Sequence, residues 1–186
     1  PWMFWETTPL SASLAVIAWV VYVMIYTPLK RRSWINVLIG GIAGAMPPLI
    51  GWTAVTGALS AEGVALFMIL FLWQMPHSLA IAIYLKDEYD AAGLKILPTE
   101  KNLAVTRRHI FAYVIALVAT SLWIVQLGLG GMVTLLGATV LGGRFIWKAW
   151  LGLRSGGEAP WARDLFLYSL VYLSGLFVVM ALDNVL

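Results

Sequence analysis

Residues 71–90 read FLWQMPHSLAIAIYLKDEYD: an apolar run carrying Trp73, Pro76 and His77 gives way at once to Lys86, Asp87, Glu88 and Asp90. A helix with this pattern leaves hydrocarbon at its C-terminal end, so its charges mark a membrane face. The loop beyond continues through Pro98 to Arg107 and Arg108 and holds the densest group of ionisable side chains in the chain. Charge gathered at the end of a membrane helix is the first place to look for chemistry.

The rest of the composition agrees. The chain is 61% hydrophobic and 11% charged, with a mean hydropathy of +0.87, where soluble domains run at roughly 45–50% apolar and about 25% charged. This excludes a soluble domain and makes the lipid bilayer the main surrounding partner; nothing points to nucleic acid. The absence of cysteine excludes disulfide, thiolate and iron–sulfur chemistry. An all-α integral membrane protein of this length has room for about six spans of roughly 20 residues. Hydropathy places them near 10–26, 37–59, 64–85, 110–127, 132–151 and 165–182, in one membrane domain. The first residues, Pro1-Trp2-Met3-Phe4-Trp5, look like the aromatic end of a span that begins upstream, so the chain is expected to be incomplete at its N-terminus. In the second span Gly40 and Gly44 are expected to form a small-xxx-small face for close backbone approach, and Pro47-Pro48 to break the backbone hydrogen-bond ladder at mid-membrane depth.

Six spans alternate the connections between two faces, and all 12 Lys and Arg residues then fall on one of them. Lys30, Arg31 and Arg32 lie in its first loop, Lys86 to Arg108 in its second, and Arg154 and Arg163 in its third, while Arg144 and Lys148 can snorkel to it. The positive-inside rule makes this face cytoplasmic and puts the C-terminus on the far side.

Three constellations stand out by spacing. Asp87 and Asp90 are three apart, so on one helix face they suit a hard oxygen-seeking cation; the bland alternative is an i,i+4 Lys86–Asp90 pair on a solvated loop. Tyr26 and Lys30 are four apart at a helix end, where phenol and ammonium can face one cavity, although Pro28 lies between them. His77 sits inside the third span just after a proline. It reads as a cavity residue or as a neutral side chain satisfied by a neighbouring helix. Arg31, Arg32 and His109 read as interfacial anchors. Trp52, Trp73, Tyr84 and Tyr89 read as membrane-belt aromatics or as the lining of an apolar tunnel.

The motifs together carry more than any spacing. Tyr26-Thr-Pro-Leu-Lys30-Arg31, then Asn36, Gly40-Gly41, Ala43-Gly44-Ala45, Pro47-Pro48, Gly51-Trp52 and Ala54-Val55-Thr56-Gly57, followed by Trp73-Gln-Met-Pro76-His77-Ser78, Asp87-Glu88-Tyr89, Ala92-Gly93 and Leu97-Pro98, resemble the protoheme IX farnesyltransferases (heme O synthases) of the UbiA-type intramembrane prenyltransferases. The likeness covers most of residues 26–110. It implies a nine-helix bundle with a cavity open to the cytoplasm, of which this six-span chain supplies helices four to nine, and transfer of a farnesyl group from farnesyl diphosphate to a vinyl group of heme B. A UbiA-type transferase acting on a quinone precursor or chlorophyllide is the alternative, and a transporter with broken helices a more distant one.

The resemblance also assigns roles. It implies Mg²⁺ with diphosphate at Asp87, Glu88 and Asp90, catalytic parts for Tyr26, Lys30 and His77, and substrate contacts for Asn36, His77, Tyr89 and Arg107, with His77 either an axial ligand to heme iron or a residue that shapes the pocket. A heme A synthase or an oxidase assembly partner is implied as the recipient of the product. Two departures from the family pattern are Asp90, where many relatives have a non-acidic residue, and Lys95, which replaces a common Pro. The family's first Asn/Asp-rich motif is absent from these residues, so the chain alone is expected to be inactive.

Overall fold

The structure, a computed structural model, describes residues 7–30, 32–93, 95–154, 156, 158–183 and 185; the aromatic segment at Pro1–Trp5 and the anchor expected at Arg31 lie outside the described residues. Among the described residues the chain is helical and contains no strand. In order come α1 (Pro9–Leu29), α2 (Asn36–Thr56), α3 (Ala61–Tyr84), the short α4 (Lys86–Ala91) and α5 (Leu97–Glu100), then α6 (Leu103–Gln126), α7 (Met132–Arg154) and α8 (Ala159–Asp183).

Helices α3, α6, α7 and α8 pack in a closed ring, each against its two neighbours. Their shared core holds Ile69, Leu72, Ile110, Val114, Leu117, Phe145, Leu165, Tyr172 and Leu176. Polar groups inside are satisfied locally: the Tyr172 hydroxyl meets Ser121 Oγ at 2.8 Å, and Ser121 Oγ reaches the Leu117 carbonyl at 2.9 Å. In hydrocarbon an unmet hydroxyl would cost several kcal/mol. Helix α2 leans on α3 from outside the ring, and α1 leans on α2.

Five helices are long and apolar enough to cross a membrane: α1, α2, α3, α6 and α8. Helix α7 has 23 residues, or roughly 35 Å at about 1.5 Å per residue, but carries Arg144 and Lys148. These charges are housed against α8, with Arg144 and Lys148 lying 5.3 and 5.4 Å from the centre of the Tyr168 ring and Lys148 paired with Asp164. At the other end of the same two helices the Asp183 carboxylate accepts the N–H groups of Gly131, Val133 and Thr134 at 2.7, 3.2 and 2.6 Å. It thereby satisfies donors that the start of α7 would otherwise leave open.

Helix α2 runs through both Pro47 and Pro48. Neither ring can donate an N–H, so the hydrogen-bond ladder is interrupted there and Ala43 and Gly44 lose the usual i+4 donors to their carbonyls. The expectation for Gly40 and Gly44 is corrected, because they do not bring two backbones together. A Cβ on Gly40 would stand 2.8 Å from the Tyr26 ring, and one on Gly44 would overlap the Gln74 amide. The missing side chains make room for side chains of α1 and α3, not for a helix–helix seam.

The connections with most of the charge meet at one end of the bundle. The Trp34 N–H, before α2, points to Glu100 Oε2 at 3.5 Å, and the Arg107 guanidinium donates to the Gly156 carbonyl between α7 and α8.

Candidate functional site

Helices α1, α2 and α3 form three walls of a cavity of about 540 Å³, within the roughly 300–1,000 Å³ of small-molecule sites. From α1 come Ala18, Tyr22, Tyr26 and Lys30; from α2, Asn36 and the small-residue stripe Gly40, Gly41, Ala43 and Gly44; from α3, Gln74, Ser78 and Ala82. Tyr89 of α4 and the Lys95-Ile96 pair close the end where the charged loops meet.

Local chemistry explains each wall. In a regular helix the Pro28 ring would strike the Met24 carbonyl. Between Val21 and Tyr26 the helix instead widens to i→i+5 turns, and both the N–H and the hydroxyl of Thr27 reach back to the Tyr22 carbonyl, the hydroxyl at 2.9 Å. This accommodates Pro28 without ending the helix, so Tyr26 and Lys30 both face the cavity. Tyr22 stacks on Tyr26 with ring centres 5.1 Å apart, an arrangement that Gly40 permits by leaving space for the Tyr26 ring. Asn36 is 6% exposed and donates to the Ser33 and Lys30 carbonyls at 2.6 and 3.4 Å. Its amide therefore holds the turn that presents Lys30.

On α3 the cavity residues Gln74, Ser78 and Ala82 recur every four positions, one face of a helix. Gln74 Nε2 donates to the Gly41 and Leu70 carbonyls at 3.3 and 3.1 Å. His77 is one residue before Ser78 and so is rotated by about 100°. It lies outside the cavity, between Trp73 at 4.5 Å and Phe166 at 4.9 Å between ring centres, with Nδ1 at 2.8 Å from Ser169 Oγ. His77 thus meets Ser169 and Phe166 of α8 and is not among the residues that line the cavity. Trp73 belongs to the same contact through its Nε1–H, 2.7 Å from the Ser169 carbonyl.

The acidic cluster divides. Helix α3 stops at Leu85, whose φ of −106° and ψ of 29° turn the chain before α4, so Asp87 and Asp90 share α4 and not an extension of α3. Asp90 accepts from Lys86 Nζ at 2.5 Å and Thr99 Oγ1 at 2.6 Å. The Lys86 hydrogen bond foremost, then that of Thr99, holds the Asp90 carboxyl below its ordinary range, while the bond to Asp90 raises Lys86. The i,i+4 pair is thus what forms at Asp90. Asp87 and Glu88 are exposed and outside the cavity lining. Among the described residues no three His, Cys, Asp or Glu side chains converge as a metal site would require.

Arg107 is also placed away from the cavity, by its bond to Gly156. Of the aromatic tunnel candidates, Tyr89 lines the cavity, whereas Trp52 donates to Ser60 Oγ at 2.9 Å and Tyr84 is 41% exposed. Tyr22, Gln74, Ser78 and Lys95 were not foreseen; the four-residue spacing of Gln74 and Ser78 was the available signal. The result is a cavity whose charged lining residues, among those described, are two lysines, Lys30 and Lys95, beside phenols, two amides and a hydroxyl. Its chemistry suits an anionic head group joined to an apolar body.

The family model for the UbiA prenyltransferase family matches residues 1–170 of the chain. The chain belongs to the UbiA prenyltransferase family. The transporter reading falls with that assignment. Among curated relatives of this UbiA-family chain is the Protoheme IX farnesyltransferase of Sorangium cellulosum (strain So ce56), 51% identical over 167 residues, covering 90% of the chain and 60% of the relative. The Myxococcus xanthus (strain DK1622) enzyme of the same name is 46% identical, covering 95% of the chain and 60% of the relative. The chain thus spans about 60% of the length of these relatives. A solved structure described under "Structural and mechanistic insights into the biosynthesis of Digeranylgeranylglyceryl phosphate synthase in membranes" superposes with a TM-score of 0.84 at 16% identity, covering 95% of the chain and 62% of that structure. It establishes the UbiA-type fold and nothing finer.

Proposed function

We propose that the protein containing this chain transfers the farnesyl group of farnesyl diphosphate to a vinyl group of heme B, giving heme O for terminal oxidases. The observation that carries the reading is the cavity: lysines at its charged end and a glycine-lined, aromatic interior behind them, in a chain up to 51% identical to relatives named protoheme IX farnesyltransferase.

The chemistry needs no nucleophilic side chain. The C1–O bond of farnesyl diphosphate breaks, the diphosphate leaves with the electron pair, and the vinyl π electrons of heme B attack C1. Water then adds to the new cation beside the porphyrin and loses a proton, leaving a hydroxyethylfarnesyl group. Lys30, presented by the Asn36-held turn, supports the growing charge on the leaving oxygen. Tyr22 and Tyr26 line the space behind it, where aromatic quadrupoles would stabilise an allylic cation.

Magnesium is part of this reading. Mg²⁺ commonly takes one or two carboxylates together with substrate phosphates, and Asp87 and Glu88 fit that habit because they are exposed at the start of α4, whereas Asp90 is committed to Lys86 and Thr99. When bound there, the ion would offset diphosphate charge. In this reading the lysine-rich face is cytoplasmic, the bacterial inner membrane is the site, and a heme A synthase or oxidase assembly partner receives the product.

The test is heme O formation by the complete gene product in membranes supplied with farnesyl diphosphate and heme B, read by chromatography of extracted hemes. The expected result is heme O that depends on both substrates and is abolished by chelating divalent metal. Prenylation of a quinone precursor with no heme O would replace the acceptor.

A further inference from the structure

Lys95 lines the cavity from the connection between α4 and α5, next to Ile96, which is 7% exposed. That connection is not loose. Leu97, 2% exposed, is seated in the core of the helix ring, and the N–H groups of Thr99 and Glu100 both return to the Ile96 carbonyl, at 3.1 and 3.0 Å. Lys95 is therefore aimed by a buried anchor two residues away.

Its ammonium nitrogen is 3.6 Å from Glu100 Oε1, and the two side chains are 52% and 28% exposed. The other oxygen of Glu100 faces the Trp34 N–H across the mouth at 3.5 Å. Glu100 itself does not line the cavity. A cation at the cavity wall is thus tethered to a carboxylate at the rim by a long, half-wet contact of a kind worth little. A diphosphate in the cavity offers more charge and more oxygens than Glu100 does.

We propose that Lys95 is a second diphosphate-binding cation, held by Glu100 while the cavity is empty and released to the substrate's phosphate oxygens when it is filled. The proposal rests on the prenyl diphosphate reading above and adds a residue and a competing carboxylate to it. Glu100 then tunes affinity: it lowers the effective charge of the empty mouth and is displaced by phosphate.

The two residues have opposite signatures. In the complete gene product, Lys95→Met should raise KM for farnesyl diphosphate about tenfold, with the larger share of the loss in KM and not in kcat. It should weaken inhibition by inorganic diphosphate by a similar factor. Lys95→Arg, which keeps the charge, should recover most of the loss. Glu100→Gln should lower KM by roughly two- to fivefold, the scale of an exposed ion pair. In the Lys95→Met background most of the Glu100→Gln effect should vanish, because the competition proposed is for Lys95. An unchanged KM in Lys95→Met, a raised KM in Glu100→Gln, or a Glu100→Gln effect undiminished by loss of Lys95 would each overturn the proposal while wild-type turnover leaves the prenyl diphosphate reading standing. A wild-type protein indifferent to farnesyl diphosphate and to inorganic diphosphate would remove both.

Discussion

Replacing Lys30 with methionine keeps the length of the side chain and removes its charge. Lys30 closes α1, its N–H bonded to the Tyr26 carbonyl at 2.9 Å and its own carbonyl held by Asn36, so the backbone has no reason to move. Among the described residues it has no ion-pair partner, whereas Lys95 is shared with Glu100; Lys30 therefore carries most of the undivided positive charge of the cavity. A unit charge at about 4 Å interacts by roughly 4 kcal/mol at the effective dielectric of about 20 suited to a protein surface. Because Lys30 is exposed, water trims this to about 3 kcal/mol, or roughly two orders of magnitude in kcat/KM, the scale of removing one group that stabilises developing charge. Initial rates of heme O formation in membranes at matched expression give the comparison, with Lys30→Arg expected to retain most of the activity. A Lys30→Met protein within about threefold of wild type would refute the argument that this cavity binds the leaving group.

His77→Ala should lower the stability of the α3–α8 packing by about 1–3 kcal/mol through the lost hydrogen bond and ring contacts, yet leave heme O formed per folded molecule near wild type; a selective loss of heme binding would return His77 to the site. Asp90 contributes through a depressed carboxyl value, so its hold on Thr99 is complete above the unfolded carboxylate range of about 3.9 and is lost as pH falls through the lower folded value. By hydrogen-exchange mass spectrometry the protection of the segment around Thr99 should fall only in acid below that range, and Asp90→Asn should lower it at every pH. Tyr172→Phe removes the bond to Ser121 and should cost about 1 kcal/mol by thermal unfolding in detergent, with no change in substrate dependence.

Much of this fold is legible in the sequence because bilayer physics is strict: an apolar run of sufficient length has to be helix, and its charged ends mark the faces. Tyr26, Lys30, Asn36 and Tyr89 were likewise readable, since each stands in a motif at a helix end and all four line the cavity. Direction was harder. His77 is conspicuous as an ionisable group inside a span, but the turn of one residue relative to Ser78 sends it to α8, and only the periodicity of Gln74, Ser78 and Ala82 reveals which face is inward. Pro47-Pro48 shows in the sequence as lost donors, whereas the continuation of α2 through both prolines is visible only in the structure. Asp90 and Arg107 illustrate the same limit: their charges suit a diphosphate site, yet Thr99 and Lys86 claim the first and Gly156 the second. The Lys86 pair was readable as an i,i+4 alternative, but Thr99 and Gly156, nine and 49 residues away, are not predictable from spacing alone.

The central claim is that farnesyl diphosphate occupies the space between α1, α2 and α3, and photolabelling by a farnesyl diphosphate analogue with a diazirine in its isoprenoid chain tests it most directly. In the complete gene product, peptide mapping should find the label on Tyr22 to Gly44 and on Gln74 to Ala82, removable by excess farnesyl diphosphate. Competable label confined to Phe166–Ser169, beside His77, would contradict the account.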